Sequence, residues 1–228
     1  MSTLNVDKVD PSTGTTLELG TSGDTVNLGS GVTAGTGFGG DLSFGGDTFG
    51  ANKVIGANDA YSFSLETSGN TALTIDSTGA VTKPLQPAFF AYSASGQSNL
   101  AVTTAVTIIF DTEKFDNNAD FNTTNYTFTA PVTGRYCFSV SLRKDNIDSA
   151  ASYYQTIIYT SNTEYYRDLF DPGQMNGDLT YWQQQGTLLV DMDASDTCII
   201  KYYQSGGTQQ TDISGGDGQS SFQGWLVC

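Results

Sequence analysis

Residues 126–138 read Y-T-F-T-A-P-V-T-G-R-Y-C-F, a strand, a turn and a second strand. Tyr126 and Phe128 alternate with threonines, the period-two pattern of a half-buried strand. Pro131 fixes φ and removes a backbone donor, and Gly134 supplies conformational freedom at the corner. Beyond the corner, Tyr136, Phe138, Val140 and Leu142 share one face. Cys137, Ser139, Ser141 and Arg143 share the other, because successive side chains of a strand point to opposite sides. An aromatic inner face that keeps its phase across a Pro/Gly corner describes the core of an all-β sandwich or jelly roll. A hairpin of any other β protein is the plainer reading.

Outward from this stretch, residues 101–110, 153–160, 187–192 and 197–204 have strand character, and breaks rich in Gly, Asn and Asp separate them. No stretch carries apolar residues at helical spacing over three turns, so the chain reads as nearly all β. Composition divides it. Residues 1–86 hold 15 of the 26 glycines but only five of the 27 aromatic residues. The aromatics that follow suffice for a sandwich core, since each buried one removes roughly 150–250 Å² from water.

Three regions result: an attachment segment at 1–14, a glycine-rich β shaft at 15–86 and a head at 87–228. In the first, Leu4, Val6 and Val9 alternate in a short strand that ends at Pro11. With no partner nearby in sequence, it is suited to add to the sheet edge of another protein, a frayed terminus being the alternative. In the shaft, the pairs Leu17/Leu19 and Val26/Leu28 recur between glycine-containing turns, and Phe38, Phe44 and Phe49 are spaced among glycines. Tyr61, Phe63 and Leu65, then Leu73 and Ile75, alternate around turns at 68–70 and 77–79. Strands this short cannot bury their apolar residues within one chain. Three intertwined copies can, in a quasi-one-dimensional arrangement. A flexible linker is the competing reading of residues 35–60.

The formal net charge of −15 opposes nucleic-acid binding, which needs Lys and Arg to displace counterions, and opposes an anionic membrane surface. Neither a membrane-spanning run nor a secretory leader is present at residues 1–7, so the expectation is a protein made in the cytoplasm and not exported. Cys137, Cys198 and Cys228 make an odd number, not a disulfide framework, and their strand registers place Cys137 and Cys198 on opposed faces. Histidine is absent, which removes any His-based triad, general base or zinc site.

Three groups of residues could carry chemistry. Asp191, Asp193 and Asp196 bring hard oxygen ligands close together near a strand end, a weak calcium pattern that lacks the EF-hand glycine and distal glutamate. Solvated loop carboxylates are the stronger reading. Asp111, Asp116 and Asp120 interleave with Phe110, Phe115 and Phe121, as paired carboxylates and aromatic platforms do in glycosidases. The third group is aromatic. Tyr165, Tyr166, Tyr181 and Trp182, with Gln183, Gln184 and Gln185, combine large apolar surfaces with polar tips and are the receptor-binding candidates. Alternation would turn half of them inward.

The stretch F-T-A-P-V-T-G-R-Y-C-F resembles the central signature of the complement C1q globular-head family, a trimeric jelly roll related in fold to tumour necrosis factor. Four further blocks are similar in order: Pro87 to Ala91, Ile108 to Asp111, Asp196 to Ile200, and Ser221 to Leu226 with its F-x-G-x-L pattern. The resemblance covers residues 87–228. It departs at Ser195, where the family often has Gly before the aspartate, so that turn is expected to differ. Asp196 matches a structural turn position of the family. Residues 4–26 and 61–84 resemble tail-fibre proteins of bacteriophages, those of marine bacteria in the first case.

Together these resemblances imply a homotrimeric virion fibre or appendage. Its N-terminus would join another tail or neck protein and its head would adhere to a host-surface glycan or protein, without catalysis or cofactor. A capsid or neck decoration with no receptor role and a bacterial surface adhesin are the alternatives.

Overall fold

The computed structural model describes Asn52 and residues 54–228; Leu4, Val6 and Val9 lie outside the described residues. Gly56–Cys228 gathers into one compact unit. Three short strands come first: β1 (Phe63–Thr67), β2 (Asn70–Ile75) and β3 (Val81–Thr82). They form an antiparallel sheet in the order β1-β2-β3. Phe63 pairs with Ile75, Leu65 with Leu73, and Ile75 with Val81, so all five apolar side chains share one face. None of them is buried, and Leu65 and Val81 are 54% and 57% exposed. Among the described residues nothing covers this apolar face.

The remaining strands build a two-sheet sandwich. They are β4 (Ala88–Tyr92), β5 (Val106–Thr107), β6 (Thr112–Asp116), β7 (Phe121–Asn122), β8 (Thr127–Thr129), β9 (Gly134–Ile147), β10 (Tyr153–Thr160), β11 (Glu164–Phe170), β12 (Leu179–Met192), β13 (Thr197–Ser205), β14 (Asp212–Ile213) and β15 (Ser221–Leu226). One sheet runs β12-β9-β15-β4-β6, with β14 on β9, and the other β11-β10-β13-β8-β7, with β5 on β13. Every pairing between these strands is antiparallel, in the manner of an all-β jelly roll.

The organising stretch behaves as its alternation demands. Tyr136, Phe138, Val140 and Leu142 of β9 are fully buried, while Cys137, Ser139, Ser141 and Arg143 are not. Phe138 lies in a nest of rings, with centroids 5.4 Å from Phe128, 5.6 Å from Phe222, 6.3 Å from Tyr136 and 6.5 Å from Phe89. Edge-on and offset contacts of this kind are favoured by the ring quadrupole.

Three local readings change. Tyr126 is outside the strand: its φ is +60° and its N–H donates to Asn122 O, so the ladder begins at Thr127. Residues 101–110 contribute only β5, because Thr103 takes a left-handed φ of +58° and breaks the extended run; Ile108 and Phe110 still reach the core. Gly134 is needed less for a corner than for space, since a Cβ there would stand 2.7 Å from Leu226 Cδ1 and 2.8 Å from Cys228 O.

The turn before β13 carries a testable strain. Asp196 N–H donates to Asp193 O, and Ser195 sits at φ +77°, the left-handed region that costs an L-residue about 1–2 kcal/mol. The serine thus keeps a glycine's conformation. Ser195→Gly should raise stability by about 0.5–1 kcal/mol, relief of strain outweighing the extra freedom of the unfolded glycine. An upward shift of the denaturant midpoint checks it; a downward shift refutes it.

Head and preceding segment meet at one end. Asn117 Nδ2 and Asn118 Nδ2 donate to the carbonyls of Gln86 and Leu85, and Gln86 Nε2 donates to Leu226 O at 2.7 Å. Leu226 N–H donates to Pro87 O. The chain therefore enters and leaves the sandwich at the same end.

Candidate functional site

The four aromatic candidates do not form one patch. In β12 the even residues from Trp182 to Met192 turn inward. Trp182 stacks on Phe170 at 4.9 Å and 10°, packed against the core, with its buried Nε1 lacking a partner among the described residues. Tyr181 points the other way, 64% exposed, with the Arg143 guanidinium 5.2 Å from its ring. In β11, Tyr165 packs against the core, while Tyr166 is 55% exposed on the outside of the other sheet. Tyr166 and Tyr181 thus lie on opposite faces of the sandwich.

What gathers around Tyr166 is a tyrosine-rich face. The registers Tyr153↔Ser205, Gln155↔Tyr203, Ile157↔Lys201 and Tyr159↔Ile199, with Ile157↔Tyr166 and Tyr159↔Glu164, put these side chains on one side of β11-β10-β13. Tyr153 and Tyr203 lie 5.8 Å apart, and Lys201 Nζ stands 3.4 Å from the centre of the Tyr159 ring. The Tyr166 hydroxyl donates to Glu164 Oε2 at 2.6 Å, and this bond, with the carboxylate's charge, raises the phenol's pKa. Tyr rings with fixed polar tips supply contact area at low entropic cost. Tyr203, Lys201 and Gln155 were not among the sequence candidates. The inward phase of Cys198, Ile200 and Tyr202 assigns Lys201 and Tyr203 outward, and that of Tyr154 and Thr156 assigns Gln155.

The outer face of β12-β9-β15-β4-β6 is different. Its register aligns Leu189, Cys137 and Trp225 in one row and Thr187, Ser139, Gln223, Phe90 and Phe115 in the next. Leu189, Trp225 and Phe115 are all exposed. The first row is a continuous apolar stripe across three strands, suited to burial against another polypeptide.

The carboxylate candidates serve turns and loops. Asp191 accepts from Arg135 Nε at 3.1 Å, and Asp193 accepts from Thr133 Oγ1. Asp196 accepts from the Asp193 N–H, Ser161 Oγ and Asn162 Nδ2, and the first two of these hold its carboxyl below the usual range. Among the described residues no three acidic, His or Cys side chains converge as a metal site would require. Asp111 accepts from Ala94 N–H, and Asp116 from the N–H groups of Asp120 and Phe121. Burial, reinforced by Asp116, raises the pKa of Asp120. Phe110 and Phe121 are core residues and Phe115 is surface, so no aromatic platform faces these three carboxylates. Cys137 and Cys198 sit on different sheets and both are free thiols; burial raises the pKa of each. Among the described residues no helix is long and apolar enough to cross a membrane.

A two-sheet antiparallel sandwich with an aromatic core and two contrasting outer faces is an all-β jelly-roll architecture. The C1q domain family matches residues 88–227, well over half of the chain, and the protein belongs to that family. Solved structures with similar folds include the globular domain of zebrafish complement 1qA protein, 17% identical, covering 63% of this chain and 98% of that one at a TM-score of 0.45. Eiger TNF from S. frugiperda is 8% identical over 63% of this chain and 94% of that one, TM-score 0.48. Murine APRIL is 5% identical over 62% and 99%, TM-score 0.45. No match emerged among curated protein sequences.

Proposed function

We propose that the chain is a structural virion protein, a homotrimeric phage tail fibre or appendage whose C1q head adheres to a host-surface glycan or protein. The observation that carries the reading is the apolar face of β1-β2-β3, on which Phe63, Leu65, Leu73, Ile75 and Val81 lie together with no buried member and no cover among the described residues. Three strands need an apolar face covered to be stable in water, and copies of the same chain provide the cover. C1q-type folds typically form homotrimers, and the Leu189–Cys137–Trp225 stripe supplies the head with a matching apolar contact.

With the outer face of β12-β9-β15-β4-β6 turned towards its copies, the tyrosine face of β11-β10-β13, on the other side of the sandwich, is the outward one. Three such faces on one fibre bind together, so modest affinity per head becomes strong attachment. The fibre-like N-terminus, with Leu4, Val6 and Val9, joins another tail or neck protein by strand addition.

Sedimentation of the full chain should give a trimer. The purified trimer should compete with intact particles for adsorption to host cells, and Tyr153→Ala together with Tyr166→Ala should reduce that competition at least tenfold. A stable, folded monomer refutes the assembly. A trimer found on the particle that does not compete assigns a decorating role instead.

A further inference from the structure

Lys144 continues the inward phase of β9 past Leu142 and is fully buried, at 0% exposure, between the two sheets. Its Nζ donates to Asp168 Oδ2 at 2.9 Å and to Gln184 Oε1, and lies 5.2 Å from the centre of the Tyr202 ring. Asp168 belongs to the opposite sheet. The β10–β11 register shifts between Tyr154, which faces Phe170, and Thr156, which faces Arg167, so Asp168 lies in a bulge. Its φ is +64°, a conformation that an L-residue holds only when its surroundings impose it. Thr156 Oγ1 donates to the same Oδ2 at 3.1 Å. A primary amine, a carboxyl group, a donor on the carboxyl oxygen and an acceptor on the amine therefore meet at a site where the lysine side chain is fully buried and that of the aspartate only 10% exposed.

We propose that Lys144 and Asp168 condense into an intramolecular isopeptide bond that joins the two sheets of the head. A buried ion pair loses hydration that its mutual attraction does not fully restore, and passing one proton from Nζ to Oδ2 along their hydrogen bond yields a neutral amine and a neutral acid. Burial acts in the same direction on the lysine, lowering its pKa against the opposing pull of the Asp168 carboxylate. The Nζ lone pair then attacks Asp168 Cγ. The new Nζ–Cγ bond forms as Cγ–Oδ2 breaks, and Oδ2, already protonated once, takes a second proton from Nζ and leaves as water. An ammonium and a carboxylate become one amide and one water, with no change of oxidation state. Thr156 donates to the departing oxygen, and Gln184 accepts from the attacking nitrogen as it becomes positive. The product carries no charge into the core, and it closes the chain between residues 144 and 168, which restricts the unfolded ensemble as a disulfide would.

Mass spectrometry of the purified full chain under denaturing conditions tests it. The mass should fall below that of the sequence by about 18 Da, one water, and a tryptic digest should contain a branched peptide carrying both residues, uncleaved after Lys144. Lys144→Arg and Asp168→Ala should restore the sequence mass. Should these variants fail to fold, Thr156→Val and Gln184→Met provide the second arm, with the dehydrated fraction rising at least tenfold more slowly during refolding than in the parent. A folded parent protein whose mass equals that of its sequence, and whose digest is cleaved after Lys144, overturns the proposal whatever the variants do.

Discussion

Phe138→Ala should destabilise the head by about 3–5 kcal/mol, whereas Ser139→Ala, one residue along the same strand, should cost far less. The phenyl ring is fully buried and touches four other rings, from both sheets. Its removal loses the transfer free energy of the ring and leaves a cavity that the two hydrogen-bonded sheets cannot collapse to fill. Ser139 points outward, where its hydroxyl meets only that of Thr187 across the ladder. Denaturant unfolding at one fixed protein concentration decides the comparison, because association shifts apparent stability by mass action. Equal losses would mean that the outer face of β9 is as tightly packed, against another copy of the chain, as the inner face is in the single head. A harmless Phe138→Ala would overturn the core itself.

Much of this core was legible because it rests on period two. Tyr136, Phe138, Val140 and Leu142 announce their face by alternation, and Phe89, Phe128 and Phe222 fall in blocks whose order already resembled the C1q head. Alternation fails where the strand's polar residues stop following it. Lys144 keeps the inward phase of β9 but is a charged residue, and its partner lies in another sheet, aimed by a bulge that sequence does not display. Tyr126 and Thr103 fail for another reason. Their positive φ values run against the residues' own preference: Thr103 N–H is held by Gln204 O from a distant strand, and Tyr126 N–H by Asn122 O in a local turn.

The surface was less legible than the core. Residues 179–186 carry no apolar alternation, so the pattern shows β12 only from residue 187 onward, although the strand begins at Leu179. Extending the inward phase of Leu188, Val190 and Met192 back along the strand would have turned Trp182 inward and left Tyr181 outside. Whether outward tyrosines belong to one face depends on which strands are neighbours. That is a matter of pairing between residues far apart in sequence, as with Tyr153 and Tyr203. Local pattern gives the side of a strand; register gives the patch.

Gly224→Ala should be costly for a reason the F-x-G-x-L pattern conceals. In the ladder Gly224 lies directly between Phe89 of β4 and Phe138 of β9, both of which turn inward. A Cβ at this position would meet Phe138 Cδ1 at 2.5 Å and both Phe138 Cε1 and Phe89 Cε1 at 2.8 Å. Neither ring can swing away, because Phe121, Phe128 and Phe222 already surround them. Two large rings on flanking strands leave room between them for a hydrogen and nothing more, so the middle strand must carry glycine. Overpacking of this kind costs about 1–3 kcal/mol, with a valine costing more than an alanine. If the cause is contact with the rings, making one of them smaller should relieve it. Phe138→Leu should therefore rescue part of the loss in Gly224→Ala, with a coupling energy of about 0.5–3 kcal/mol in a double-mutant cycle. Losses that simply add would place the glycine's role in the backbone and not in the space between the rings.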